Sequence, residues 1–237
     1  MRPLLLALTA LILLSSCSKK EETPPDLPPC QPLMTSHWRI AEESGFTGPD
    51  TVLYQRRVYI YDASDRQIFL LTSAGGPLDT ADRLRYYPDR IERNSVVYHL
   101  NSAGLATDLD PFFFYKYDTA GYCTEQTRVY SGGASKESYL YNCYNCSQSL
   151  IEHFSSLGIG YDTVWNEYYP DKSNTTGNEN HGISFLGKQN NALLKSRRMA
   201  SGFIENYSYL FDSQSRVTWE IITDGHGNKS YRSFLYR

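Results

Sequence analysis

The sequence predicts an all-β chain, an antiparallel meander of tyrosine-rich hairpins that forms a long curved sheet or an open, partial barrel with little helix. Three observations carry that expectation. Tyrosine is in excess, at 20 residues against 3 methionines, and its ring packs well on a pleated, half-buried surface. A short hairpin pattern recurs along the chain. No long segment shows an apolar period of 3.6 residues.

Composition narrows the class further. Charged residues make up 21% of the chain and the formal net charge is −3. A nucleic-acid binder needs a clustered basic face, which this balance does not supply. Aromatics reach 14%, too many for a disordered chain.

The first element, residues 1–16, reads as a signal peptide. Arg2 precedes the apolar run Leu4–Leu14, which is too short to span a bilayer and fits a signal-peptide core. Leu14-Ser15-Ser16-Cys17 resembles a bacterial lipobox. That resemblance implies a diacylglyceryl and an acyl group on Cys17, enough for firm anchoring, whereas a single chain holds only marginally. Ser18-Lys19-Lys20-Glu21-Glu22 resembles the surface-export signal of Bacteroidota lipoproteins, which implies a place on the outer face of the outer membrane. Residues 17–32 form the lipidated start and a spacer rich in proline (Pro24, Pro25, Pro28, Pro29, Pro32). Such a stretch favours polyproline II and holds a folded body off the membrane. Residues 33–237 are then expected to form a single β domain, a length sufficient for a sizeable core.

The repeated hairpin fills much of that domain. Its copies begin Tyr59-Ile60-Tyr61-Asp62, Tyr98-His99-Leu100-Asn101, Tyr115-Lys116-Tyr117-Asp118, Tyr139-Leu140-Tyr141-Asn142 and Tyr209-Leu210-Phe211-Asp212. Residues two apart on a strand share a face, so each copy places its first and third side chains together. The turn residues Asp62, Asn101, Asp118, Asn142 and Asp212 are expected to accept backbone N–H groups two residues on. Gly104 and Gly121 suit the positive φ of a bulged turn. Asp65 and Ser215 suit it less well, so those two turns are expected to differ in detail. Ala74-Gly75-Gly76-Pro77, Ser131-Gly132-Gly133-Ala134 and Asp224-Gly225-His226-Gly227-Asn228 read as further loops between strands. Ala192–Met199 is the best helical candidate, and it is short. Uneven spacing of the copies argues against a propeller or β-helix.

The lipobox, the Tyr-x-Tyr-Asp-x-x-Gly hairpins and the closing tyrosine-rich strands together resemble a Bacteroidota lipoprotein family of unknown function described as porin-like. The segment His181–Lys195 resembles an insertion of that family ahead of its last hairpins. The resemblance covers about residues 50–237 and implies a fold and a location, not a reaction. The same turn also occurs in YD-repeat shells, which need many more regular copies.

Candidate sites are few. Cys143-x-x-Cys146 falls in a hairpin turn, not at the helix N-terminus that lowers a redox thiol's pKa. An exported compartment favours disulfides. If Tyr130 pairs with Lys136, Cys123 falls opposite Cys143. The alternative pairing is Cys123 with Cys146, and Cys30 would take the cysteine left over. His37, His99, His153, His181 and His226 show no metal-ligand spacing, and no metal or cofactor is expected. Nucleophile and phosphate-loop motifs are absent, so the chain is expected to be non-catalytic. Thr51, Thr80, Thr119 and Thr163 each follow Asp and precede a small or aliphatic residue, a pattern that resembles the O-glycosylation sequon of Bacteroidota exported proteins. The expected role is a surface-exposed binding module for a glycan or protein, with a structural envelope scaffold as the alternative. The membrane is reached through Cys17, and most tyrosines are expected to serve packing.

Overall fold

The computed structural model describes residues 38–48, 52–109, 112–156 and 158–237. The signal peptide, Cys17, the charge run, the spacer, Cys30, His37 and Thr51 lie outside the described residues.

Sixteen strands follow one another: β1 (Ile40–Thr47), β2 (Val52–Tyr61), β3 (Gln67–Ser73), β4 (Asp79–Tyr86), β5 (Arg90–Arg93), β6 (Val96–Leu100), β7 (Ala106–Leu109), β8 (Phe113–Tyr117), β9 (Cys123–Tyr130), β10 (Gly133–Asn142), β11 (Asn145–Ser155), β12 (Gly158–Ser173), β13 (Ala192–Met199), β14 (Ile204–Phe211), β15 (Val217–Asp224) and β16 (Lys229–Tyr236). Each pairs antiparallel with the next, and β1 pairs with β16 from Ile40↔Tyr236 to Thr47↔Ser230. The sheet is therefore a closed barrel, not an open or partial one. Closure is physically favoured because two free edges would expose unpaired backbone groups. Ala192–Met199 is a strand and not a helix: Arg197 and Arg198 pair with β12 on one side and β14 on the other. The only helix among the described residues is a 3-10 turn, Ser184–Leu186.

The repeated turns share one geometry. Oδ1 of Asp62, Asn101, Asp118 and Asp212 accepts the N–H groups two and four residues on, at 2.9–3.0 Å. Asp65 and Ser215 adopt the left-handed conformation, φ 58° and 60°, just as Gly104 and Gly121 do. Those two turns do not differ in backbone shape; each gains an arginine clamp instead. Arg66 and Arg216 donate Nε–H to Oδ2 of Asp62 and Asp212 at 2.9 and 2.6 Å. Asn142 departs from the pattern, because it closes a two-residue turn with Cys143 and Tyr144 both at positive φ and pairs with Asn145. That is the geometry of a tight hairpin with primed twist. Asp224, at the opposite end of the barrel, makes the bulged turn instead.

A register shift follows at the start of seven odd-numbered strands, beside Ile40, Gln67, Ala106, Cys123, Cys146, Leu194 and Val217. A bulge removes backbone groups from the ladder, and buried groups must find other partners. Five of the freed carbonyls accept a tyrosine hydroxyl from the next strand: Ile40 from Tyr61, Gln67 from Tyr86, Cys123 from Tyr141, Cys146 from Tyr168 and Leu194 from Tyr209. Tyr117 occupies the corresponding place beside Ala106, yet its buried hydroxyl has no partner among the described residues.

The freed N–H groups at four of these bulges point to one segment. Residues 174–191, between β12 and β13, fold into the barrel mouth as a plug. Asn180 O accepts Ile40 N–H at 2.9 Å, and Gly182 O accepts Gln67 N–H at 3.1 Å. Asn190 Oδ1 accepts Cys146 N–H, and Thr175 Oγ1 accepts Val217 N–H. Phe185 is buried among Leu84, Ile91, Tyr98 and Ala106. Gly182 and Gly187 combine positive φ with backbone close to the wall: a Cβ would lie 2.8 Å from Gln67 N at the first and 2.5 Å from the Tyr117 ring at the second. Only glycine satisfies both demands.

Alternation along each strand puts the paired tyrosines inside and a different surface outside. Outward-facing ion pairs cross strands at Glu42–Arg56, Lys116–Glu125 and Lys136–Glu152.

Replacing Tyr141 or Tyr209 by Phe leaves a bulge carbonyl without its side-chain donor and should cost about 1–2 kcal/mol. Tyr117→Phe breaks no such bond and should be near neutral. Equilibrium urea denaturation of the three variants checks this contrast.

Candidate functional site

The barrel interior holds a cavity of about 1000 Å3, at the upper end of small-molecule sites. The plug forms its floor. Its wall carries tyrosines such as Tyr59, Tyr139, Tyr168 and Tyr207, together with charged groups held in pairs.

One cluster joins plug and wall. Tyr59 donates its hydroxyl to Glu43 Oε2 at 2.8 Å. His181 of the plug brings Nε2 within 3.8 Å of the same oxygen and sets its ring edge-on to Tyr59, centroids 5.0 Å apart. Arg57 and Arg232 lie 3.5 and 3.9 Å from Oε1. Burial alone would push the Glu43 carboxyl up, but the contacts with His181 and Tyr59 and the two guanidiniums outweigh it and bring the pKa down to about 2. Glu220 behaves in the opposite way. Burial raises it despite Arg232 Nε at 2.7 Å, and the neighbouring Glu43 charge raises it further. Elsewhere in the interior Asp82 pairs with Arg93 at 2.6 Å and Arg197 lies 3.7 Å from Glu205.

The cysteines are arranged differently from either sequence pairing. Cys123 and Cys146 are free thiols, and Cys143 is disulfide-bonded. The reason lies in the hairpin register. Tyr130 pairs with Gly133, not with Lys136, so the β9–β10 connection is tighter than expected and Cys143 moves beyond the end of β9 into its own turn. Cys123 and Cys146 stand on β9 and β11, with β10 between them. Two strand spacings exceed the Cα separation a disulfide tolerates. Burial pushes both thiols up to about 11, so they are protonated and poorly nucleophilic at neutral pH.

Other sequence candidates scatter. Thr80 and Thr119 are exposed, on β4 and in the β8–β9 turn, and Thr163 is half-buried on β12. His99 is on the outer wall, 2.6 Å from Asp108. Among the described residues no group of three or more His, Cys, Asp or Glu is arranged to hold a metal ion. The sequence reading missed the interior charge cluster. Glu43, Arg57, Glu220 and Arg232 carry a period-two signal that exposed strand residues carry equally, and only closure turns them inward.

No family model matches the sequence, and no curated protein matches it. Among solved structures the chain is similar to a porin-like protein from Bacteroides uniformis ATCC 8492, with TM-score 0.55 and 15% identity over 84% of this chain and 98% of that one. It is also similar to a porin-like protein from Bacteroides vulgatus ATCC 8482, with TM-score 0.53 and 12% identity over 84% and 99%. At these identities the likeness shows the fold, a porin-like β-barrel.

Two measurements follow. The depressed Glu43 pKa contributes stability that is full above the unfolded carboxylate value near 4.5 and disappears as pH falls toward 2, a contribution of about 3 kcal/mol. Glu43→Gln should therefore lower stability at pH 7 and flatten its decline between pH 4.5 and 2, as read by denaturation across that range. Alkylation with iodoacetamide at pH 8 should label Cys123 and Cys146 only after unfolding, and Cys143 only after reduction, as read by peptide mass mapping.

Proposed function

We propose that the chain is a non-catalytic binding module of the outer membrane, anchored by lipid on Cys17, facing the cell exterior and holding its ligand, a glycan or a protein segment, inside the barrel. The plug carries this reading. A barrel whose mouth is filled by its own chain, tied to four bulges around the rim, is a receptacle and not a through-channel. The outer wall supports the anchor. Lysine or arginine facing lipid at mid-bilayer costs about 2–4 kcal/mol, and this wall carries Arg56, Lys116 and Lys136 in cross-strand pairs. Such a surface belongs in water, so attachment falls to the lipid. The high thiol pKa values and the scattered histidines favour binding over catalysis. A scaffold role is favoured by one observation: Phe46 and Trp219 stack on the outer wall, centroids 5.4 Å apart, near the exposed Leu210 and Leu235.

Cys17→Ser should move the full chain from the membrane pellet to the soluble fraction, and external protease should shave the unmodified protein from intact cells. Retention of Cys17→Ser in the membrane would sink the water-facing barrel; full protection from protease would sink the exterior location.

A further inference from the structure

We infer that the interior site takes a short, neutral oligosaccharide, bound against the wall formed by β9 to β13 and admitted at the end opposite the plug. This rests on the reading of the barrel as a receptacle and names the ligand class.

Charge decides against an anionic ligand. The arginines that line the cavity already have carboxylate partners: Arg57 with Glu43, Arg93 with Asp82, Arg197 with Glu205 and Arg232 with Glu220. An anionic guest on that wall would have to compete with a carboxylate already in place at every arginine; Lys188 stands apart from it on the plug. The groups left over are acceptors. Asn166 donates its Nδ2 to Cys146 O at 3.0 Å, while its buried Oδ1 has no partner among the described residues. Glu137 lines the same cavity with no cationic partner among the described residues. An unfilled buried amide oxygen, beside a carboxylate whose described hydrogen-bonding neighbour is Tyr139, calls for a guest rich in hydroxyl donors.

Position and shape agree. Glu137 stands on β10, opposite Gln126 of β9 and Ile151 of β11, and Asn166 on β12 stands opposite Arg197 of β13. These residues lie on adjacent strands of one arc. Tyr139 and Tyr168 line the cavity between them, and a tyrosine ring offers apolar area to the CH face of a sugar while its hydroxyl stays polar. The connections at the far end are short, five residues at most, whereas the plug of residues 174–191 fills the other end. Access therefore runs from that end.

The test is calorimetric titration of the full chain in detergent with neutral linear oligosaccharides, and with sulfated and uronic-acid oligomers of equal length. Saturable binding of a neutral member, at least tenfold tighter than its anionic counterparts, is expected. Glu137→Leu and Asn166→Leu should each weaken it at least fivefold, with thermal unfolding of both variants within a few degrees of the parent. Asn166→Asp keeps an acceptor and should bind nearly as the parent does. Absence of saturation by any neutral oligosaccharide, preference for an anionic one, or binding untouched in both folded variants would overturn the inference. Those outcomes leave the fractionation of Cys17→Ser unaffected, so failure of the ligand class and failure of the anchored-barrel reading are separable.

Discussion

The bulged residue near the start of seven of the eight odd-numbered strands is the constraint on which the rest of the structure depends. A bulge takes an N–H and a carbonyl out of the ladder where water is excluded. Ile40, Ala106 and Val217 are fully buried there. The barrel resolves the demand in two directions. The carbonyl turns along the wall to a tyrosine hydroxyl on the next strand, and the N–H turns inward to the plug. At β15 the two solutions merge, because Thr175 of the plug accepts from Val217 N–H and also meets the Tyr236 hydroxyl. Tyrosine excess, bulged turns and a structured plug are thus one device. Remove the plug and four rim N–H groups lose their acceptors together.

That device separates two environments with different chemistry. Inside, charges are paired, tyrosine hydroxyls are pushed up by burial, and the plug rests on Glu43 through His181. Outside, ion pairs cross neighbouring strands at Glu42–Arg56, Lys116–Glu125 and Lys136–Glu152. The same alternation of side chains therefore yields a polar, tyrosine-lined interior and a different outer wall. A porin-like fold here encloses a volume whose lining is set by the inward-facing half of each strand.

Much of this was legible along the chain and some was not. The turns at Asp62, Asn101, Asp118 and Asp212 follow from local side-chain-to-backbone bonding, which needs no partner element. Asn142 misleads for the same reason: its sequence fits the repeat, but two positive-φ residues after it close a shorter loop. Ala192–Met199 lacks a strong period, and pairing with β12 and β14 makes it a strand. The cysteine pairings fail on a register shift of a few residues, set by a tight turn at Ser131 and Gly132. Asp65 and Ser215 show that an arginine clamp can hold a left-handed turn without glycine.

The sequence by itself determined the strand class, the polarity of the turns, the tyrosine rows and the net charge, because each depends on residues near one another in the chain. Tertiary structure alone decided that the sheet closes, that the rows face inward, and that residues 174–191 fill the mouth. It also brought Glu43 of β1, His181 of the plug and Arg232 of β16 to one point. Those outcomes depend on pairing between β1 and β16, at opposite ends of the described chain. Unpaired edge groups give such a pairing its driving force, and no local pattern records it.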